Sequence, residues 1–205
     1  MRLHYAPRTI SIAVAITLEE AGMDYDTVAV DFASGEQTKP AYLALNPKGR
    51  VPVLETDSGS VLTETGALLD YIAALAPTAN LVPTDPERAA QMRSVMYFLA
   101  ATMHINHAHK MRGHRWATQQ SSFDDMAAKV PQTMADSAAY FVSDCLEGDY
   151  VLGDQFSIAD PYGYLVCSWL ANDGVTMSDF PQITDFLARM EARASVQAVK
   201  AKGML

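Results

Sequence analysis

Apolar residues in the first third of the chain change rhythm several times. Leu3 and Tyr5 alternate with polar neighbours and predict a short strand. Ser11 through Gly22 opens on a polar residue, carries the acidic pair Glu19 and Glu20 and closes on glycine, which predicts a helix. Thr27-Val28-Ala29-Val30 predicts a second strand from its β-branched residues. Residues 38–45 predict a short helix and Asn46-Pro47-Lys48-Gly49 a loop. Val51-Pro52-Val53-Leu54 starts another strand, whose proline cannot donate to a ladder and so belongs at its beginning or at an edge. Asp57-Ser58-Gly59-Ser60 predicts a hairpin turn into Val61-Leu62. From Thr63 onward, Ala67, Leu68, Tyr71, Ile72 and Leu75 recur at helical spacing. The order, βαβ followed by ββα, predicts an α/β domain over residues 1–77.

The strand signal then stops. Pro77, Pro83 and Pro86, with Asn80 between them, suit a linker over residues 78–86. Helical periodicity over 87–112, 123–147, 157–171 and 180–193 predicts an all-α domain filling residues 87–205. Ser157-Ile158-Ala159-Asp160 has the spacing of a capping box, with aspartate in the place usually taken by Glu or Gln.

Composition narrows the function classes. Of 205 residues, 49% are hydrophobic, which excludes a globally disordered chain. A formal charge of -9 without a basic tract makes nucleic acid a poor partner, because phosphates would be repelled. No apolar run reaches the roughly 18 residues of a membrane span, and the opening residues lack the apolar stretch of a signal peptide. The expectation is therefore a cytoplasmic protein without membrane contact. Cys145 and Cys167 lack metal-ligand spacing and sit in apolar helical segments, so both are expected to be reduced core thiols.

Four segments in order carry a resemblance. They are Leu18-Glu19-Glu20-Ala21-Gly22, Asn46 through Leu54, Leu62 through Ile72, and Phe156-Ser157-Ile158-Ala159-Asp160. Together they resemble the cytosolic glutathione transferases, most closely the bacterial beta class and its neighbours, over essentially the whole chain. The resemblance implies a thioredoxin-like N-terminal domain that binds glutathione and an all-helical domain that lines a second-substrate pocket. It also implies a homodimer in which each α/β domain packs on the partner's helical domain.

The resemblance assigns glutathione contacts that physical chemistry supports. A cis Val51–Pro52 peptide would let the Val51 backbone pair with the cysteinyl unit as an added strand. Glu64 and Thr65 open a helix, whose free N–H groups and positive dipole end attract the γ-glutamyl carboxylate. The Thr65 hydroxyl adds a donor, and Glu64 can face the ligand's ammonium or simply cap the helix. Gln37 resembles a glutamine used on the glutathione backbone, although a solvated loop amide is the plain alternative. Lys48 could meet the glycyl carboxylate or stay an exposed loop lysine.

Catalysis requires the glutathione thiol, with a reference pKa of about 8.5, to be held as thiolate near neutral pH. Hydroxyl donors and a helix N-terminus favour that charged form. By resemblance the group lies within Tyr5-Ala6-Pro7-Arg8-Thr9-Ile10-Ser11. Ile10 stands where the beta class has cysteine, so a mixed disulfide with glutathione is disfavoured there. Ser11 is the first candidate donor, with plain helix capping as its alternative; Thr9 is the second and Tyr5 the third. Arg8 can add positive potential.

Residues 104–116 concentrate four of the five histidines. By resemblance this helix lines the second-substrate pocket, with His104, His107 and Met111, joined by Arg8, as candidate lining residues. His104 and His107 are spaced to chelate, but no neighbouring carboxylate or cysteine in the sequence completes a set, so no metal is expected. The implied reaction is attack of the glutathione thiolate on a small electrophile, or reduction of an organic hydroperoxide. The alternative is a non-catalytic protein of the same fold that carries ligands or binds partners.

Overall fold

The computed structural model describes residues 1–205 and divides them into two compact units, Met1–Pro83 with Glu191–Leu205, and Thr84–Met190. In the first unit, β1 (Arg2–Tyr5), β2 (Asp26–Ala29), β3 (Val53–Glu55) and β4 (Val61–Thr63) form one sheet in the order β2-β1-β3-β4. β1 and β2 run parallel, whereas β3 and β4 run antiparallel to their neighbours. The β1–β2 connection is α1 (Ser11–Glu20), as a parallel pair requires a crossover. This is a thioredoxin-like arrangement. β3 begins at Val53 rather than at the expected Val51, so Pro52, which lacks an N–H, precedes the ladder.

Every residue of α1 from Ser11 to Leu18 is buried, because the helix is covered on several sides. It packs on α3 (Thr65–Leu75) and on α9 (Ala194–Ala201). No helix is expected from the sequence beyond residue 193. The tail nevertheless folds back, burying Val196 and Val199. Glu20 fixes it: its carboxylate accepts from Arg193 Nε at 2.7 Å, Arg193 Nη2 at 2.8 Å and Ser195 Oγ at 2.5 Å. Residues 191–205 thus belong with the α/β unit, in contrast to the expectation that the helical domain runs to 205. The short α2 (Pro40–Leu45) buries Tyr42 in a cluster with Ala6, Val30, Val51 and Val53.

The second unit is all-helical. α4 (Pro86–Phe98) is capped by Asp85, whose side chain accepts from the Arg88 N–H at 2.9 Å. It continues through a π-helical turn, Leu99–Met103, into α5 (His104–Arg112). α6 (Gln120–Tyr140), α7 (Ala159–Ser168) and α8 (Pro181–Glu191) complete the unit. The expected capping box is present with aspartate in it. Asp160 accepts from the Ser157 N–H at 2.7 Å, from the Ser157 hydroxyl at 3.0 Å and from the Val151 N–H at 2.8 Å. Both Ser157 and Asp160 are fully enclosed. No helix is long and apolar enough to cross a membrane.

Candidate active site

Strand register brings the candidate residues of the α/β unit to one end of the sheet. Val53 pairs with both His4 and Thr63, and Tyr5 pairs with Ala29. The segments just before β3 and just after β1, β2 and β4 therefore converge there. They are Val51–Pro52, the loop Ala6–Ile10, the stretch holding Gln37, and Glu64–Thr65. The Val51–Pro52 peptide is cis.

Glu64 caps α3 with φ 76° and ψ 119°, a conformation that side-chain-bearing residues seldom adopt. Such backbone persists only where the surroundings enforce it, and it concentrates at ligand sites. Thr65 is the first residue of α3 and is only 7% exposed. Lys48 is not a free loop lysine. Its ammonium donates to Thr63 Oγ1 at 2.8 Å and to Glu64 Oε1. The loop that delivers it is shaped by Asn46, which accepts the Lys48 N–H at 3.2 Å and donates from Nδ2 to the Arg50 carbonyl at 2.7 Å. Gly49 has φ +61°, and a Cβ there would lie 3.0 Å from the Gln37 carbonyl, so glycine lets this loop approach Gln37. The Gln37 side-chain oxygen is buried without a hydrogen-bond partner. A buried orphan acceptor marks a place where a ligand donor would be welcome.

The hydroxyls of Thr9 and Ser11 form a pair 2.7 Å apart. Thr9 Oγ1 donates to the Ala6 carbonyl at 2.8 Å; Ser11 Oγ lies 3.3 Å from the same carbonyl and accepts the Ala6 N–H at 3.2 Å. Ser11, the first candidate on sequence grounds, is fully enclosed and makes no helix-capping bond, whereas Thr9 is partly exposed. The structure thus puts Thr9 outermost and Ser11 behind it. Tyr5 is 8% exposed and shares the sheet face of Leu3. Arg8 is exposed, with φ 59°, and its N–H donates to the Met204 carbonyl at 3.1 Å.

In the helical unit, His104 and His107 gather on Trp169. Ring centroids are 5.0 Å apart for His104 and 4.3 Å for His107, the latter stacked at 25°. His107 Nδ1 lies 2.6 Å from Asp173 Oδ2, and the Asp173 carboxylate is fully enclosed. Lys110 donates to the Asn172 carbonyl and sits 3.4 Å from Asp173 Oδ1. Met111 is 84% exposed and stands outside this cluster. Asp173 and Trp169 escape sequence reasoning, because Asp173 is 66 residues from His107 and only folding joins them. No group of three His, Cys, Asp or Glu side chains is arranged to hold a metal ion. Both cysteines are buried; desolvation, helped by Asp144, pushes the Cys145 thiol up to about 11, and burial raises Cys167 further.

Comparisons with known proteins identify the family. Residues 2–74 match the family model for the glutathione S-transferase N-terminal domain. A glutathione transferase homologue from Sulfitobacter, solved with bound glutathione, is 64% identical with a TM-score of 0.98, covering 100% of this chain and 98% of that one. The beta-class glutathione S-transferase of Sphingomonas chungbukensis is 30% identical with a TM-score of 0.85 over 100% of both chains. Glutathione S-transferase GST-4.5 of Xanthomonas campestris is 30% identical over 207 residues, covering both chains completely.

Proposed function

Since the chain belongs to the glutathione S-transferase family, we propose which of its residues bind and activate glutathione in the transferase reaction. The γ-glutamyl carboxylate sits on the Thr65 N–H and hydroxyl at the start of α3, where the helix dipole favours an anion. Glu64 takes the α-ammonium, and Lys48, which pairs with Glu64, meets the glycyl carboxylate. The Val51 backbone pairs with the cysteinyl unit, and Gln37 satisfies its orphan oxygen on a ligand N–H.

Thr9 donates to the thiolate. Its single hydroxyl hydrogen points to the Ala6 carbonyl, so giving it to sulfur leaves that carbonyl open. Ser11, 3.3 Å away, covers it. Ser11 thereby acts through Thr9, and Ile10 removes any covalent route through a protein thiol. The activated sulfur attacks a small electrophile or reduces an organic hydroperoxide, with the helical unit receiving that second substrate. We further assign the enzyme to the cytoplasm as a two-fold homodimer, the commonest closed assembly.

The observation that carries this reading is the convergence of Glu64–Thr65, cis Val51–Pro52 and the Thr9–Ser11 pair at one end of the sheet. A pure ligand carrier has no use for the hydroxyl pair, and that alternative is not favoured. The test is retention on immobilised glutathione followed by turnover of chloro-dinitrobenzene and cumene hydroperoxide. Retention with neither turnover would favour the carrier.

A further inference from the structure

Residues 191–205 are tied to the α/β unit near both ends. Arg193 and Ser195 meet Glu20, and Lys202 donates to Glu19 and, at 3.3 Å, to the Tyr25 hydroxyl. Those bonds seat the tail without help from Met204, whose carbonyl does something else: it accepts the Arg8 N–H at 3.1 Å, one residue before Thr9. The end of α9 aims that carbonyl. The Gly203 N–H donates to the Lys200 carbonyl at 2.9 Å and the Met204 N–H to the Val199 carbonyl at 3.3 Å, a pairing that needs the positive φ of +71° found at Gly203. Met204 is thereby turned inward and fully enclosed, as is Val199.

Ala6-Pro7-Arg8-Thr9 forms a tight turn, closed by the Thr9 N–H on the Ala6 carbonyl at 3.4 Å. Proline second and a positive φ third, 59° at Arg8, is the pattern of a type II turn, whose third position favours glycine or asparagine. The type I turn has a negative φ there and suits most side chains; the two differ by a flip of the central peptide, here Pro7–Arg8. The N–H of that peptide is the one Met204 accepts. The tail carbonyl therefore holds the peptide in the orientation that Arg8 by itself disfavours, and such backbone persists only where its surroundings enforce it.

We propose that Met204 is a positioning residue: its carbonyl fixes the Pro7–Arg8 peptide and so aims the Thr9 hydroxyl at the glutathione sulfur. The proposal rests on the reading that Thr9 donates to the thiolate. Releasing the carbonyl lets the Pro7–Arg8 peptide flip, and Thr9, the next residue, loses its fixed direction. The bound thiol then ionises less readily, while the tripeptide contacts at Val51, Glu64 and Thr65 stay in place.

The experiment compares the full-length protein with Gly203→Val, Gly203→Asn, Met204→Gly and Thr9→Ala. A Cβ at residue 203 meets no atom within 4 Å, so the two Gly203 variants are separated by backbone preference: β-branched valine resists a positive φ and asparagine accepts it. Ultraviolet titration of the glutathione complex should show the thiol pKa raised by at least about 0.5 units in Gly203→Val, as in Thr9→Ala, and unmoved in Gly203→Asn. With less thiolate at pH 7, kcat for chloro-dinitrobenzene there should fall, by up to about threefold for each 0.5 units, and recover as pH rises. KM for glutathione should change by less than about twofold. The Gly203→Val shift should vanish in a Thr9→Ala background, because it acts through Thr9. Met204→Gly removes the buried anchor of the carbonyl; it should shift the curve the same way, and it decides if Gly203→Val does not fold. Lower stability with an unshifted curve in both tail variants, while Thr9→Ala shifts, overturns the proposal and leaves Thr9 as the donor. An equal Gly203→Val shift with and without Thr9 also overturns it. An unshifted Thr9→Ala sinks the donor assignment and the proposal together.

Discussion

The two polar clusters of this molecule are built in opposite ways. At the end of the sheet, most of the groups proposed to meet glutathione are backbone or lie next to it: the start of α3, the peptide before Pro52 and the hydroxyls bonded to Ala6. Their placement follows from short local segments: Asn46 through Leu54 and Leu62 through Ile72 announce the first two in sequence, and Tyr5 through Ser11 holds the hydroxyls. The cluster on α5 is made of side chains from elements far apart in the chain, and its organising member, Asp173, belongs to no motif. Local motifs are thus legible without a structure, while a pair closed by tertiary contact is not.

The first way to probe that contrast is to break a local motif where burial makes it expensive. Asp160→Ala would leave the Ser157 and Val151 N–H groups buried without an acceptor. Each such orphan costs about 1–3 kcal/mol, so unfolding stability should drop by about 2–6 kcal/mol, read by denaturant titration. A loss below about 1 kcal/mol would mean that water or a neighbour replaces the carboxylate.

Glu64→Ala combined with Thr65→Ala tests the sheet end directly. Charge-assisted hydrogen bonds are worth about 1.5–3 kcal/mol each, so glutathione affinity should fall at least about tenfold by calorimetry while the fold persists. Unchanged affinity would remove the γ-glutamyl site from α3.

The smallest expected effect is at the thiols. Because burial raises both the Cys145 and Cys167 thiols, neither is significantly ionised at pH 7, and the native protein should resist a disulfide thiol reagent and keep its turnover. Rapid labelling with loss of activity would reopen cysteine chemistry.

The fold was readable for the same reason as the sheet-end site. Strand alternation and helical spacing located all four strands and α1 to within a few residues. α9 was missed because its short segment, Ala194–Ala201, is held by packing on α1 and by Glu20 rather than by local signals. The π-helical turn at Leu99–Met103 and the positive φ of Glu64 were equally invisible, since neither alters the hydrophobic pattern. Among the thiol-activating candidates, sequence ranked Ser11 above Thr9 because a helix start fits serine. Its complete burial becomes visible only when α1 is covered on several sides.

The most direct test of the account is the ultraviolet titration of thiolate in the glutathione complex of wild type, Thr9→Ala and Ser11→Ala. Losing one hydrogen bond to a charged group costs about 1.5–3 kcal/mol, or about 1–2 pKa units. The thiol pKa should rise by that amount in Thr9→Ala and by less in Ser11→Ala, which acts through Thr9. Since a raised pKa means less thiolate at pH 7, turnover there should fall and recover as pH rises. Coincident curves for all three proteins would contradict activation by this hydroxyl pair.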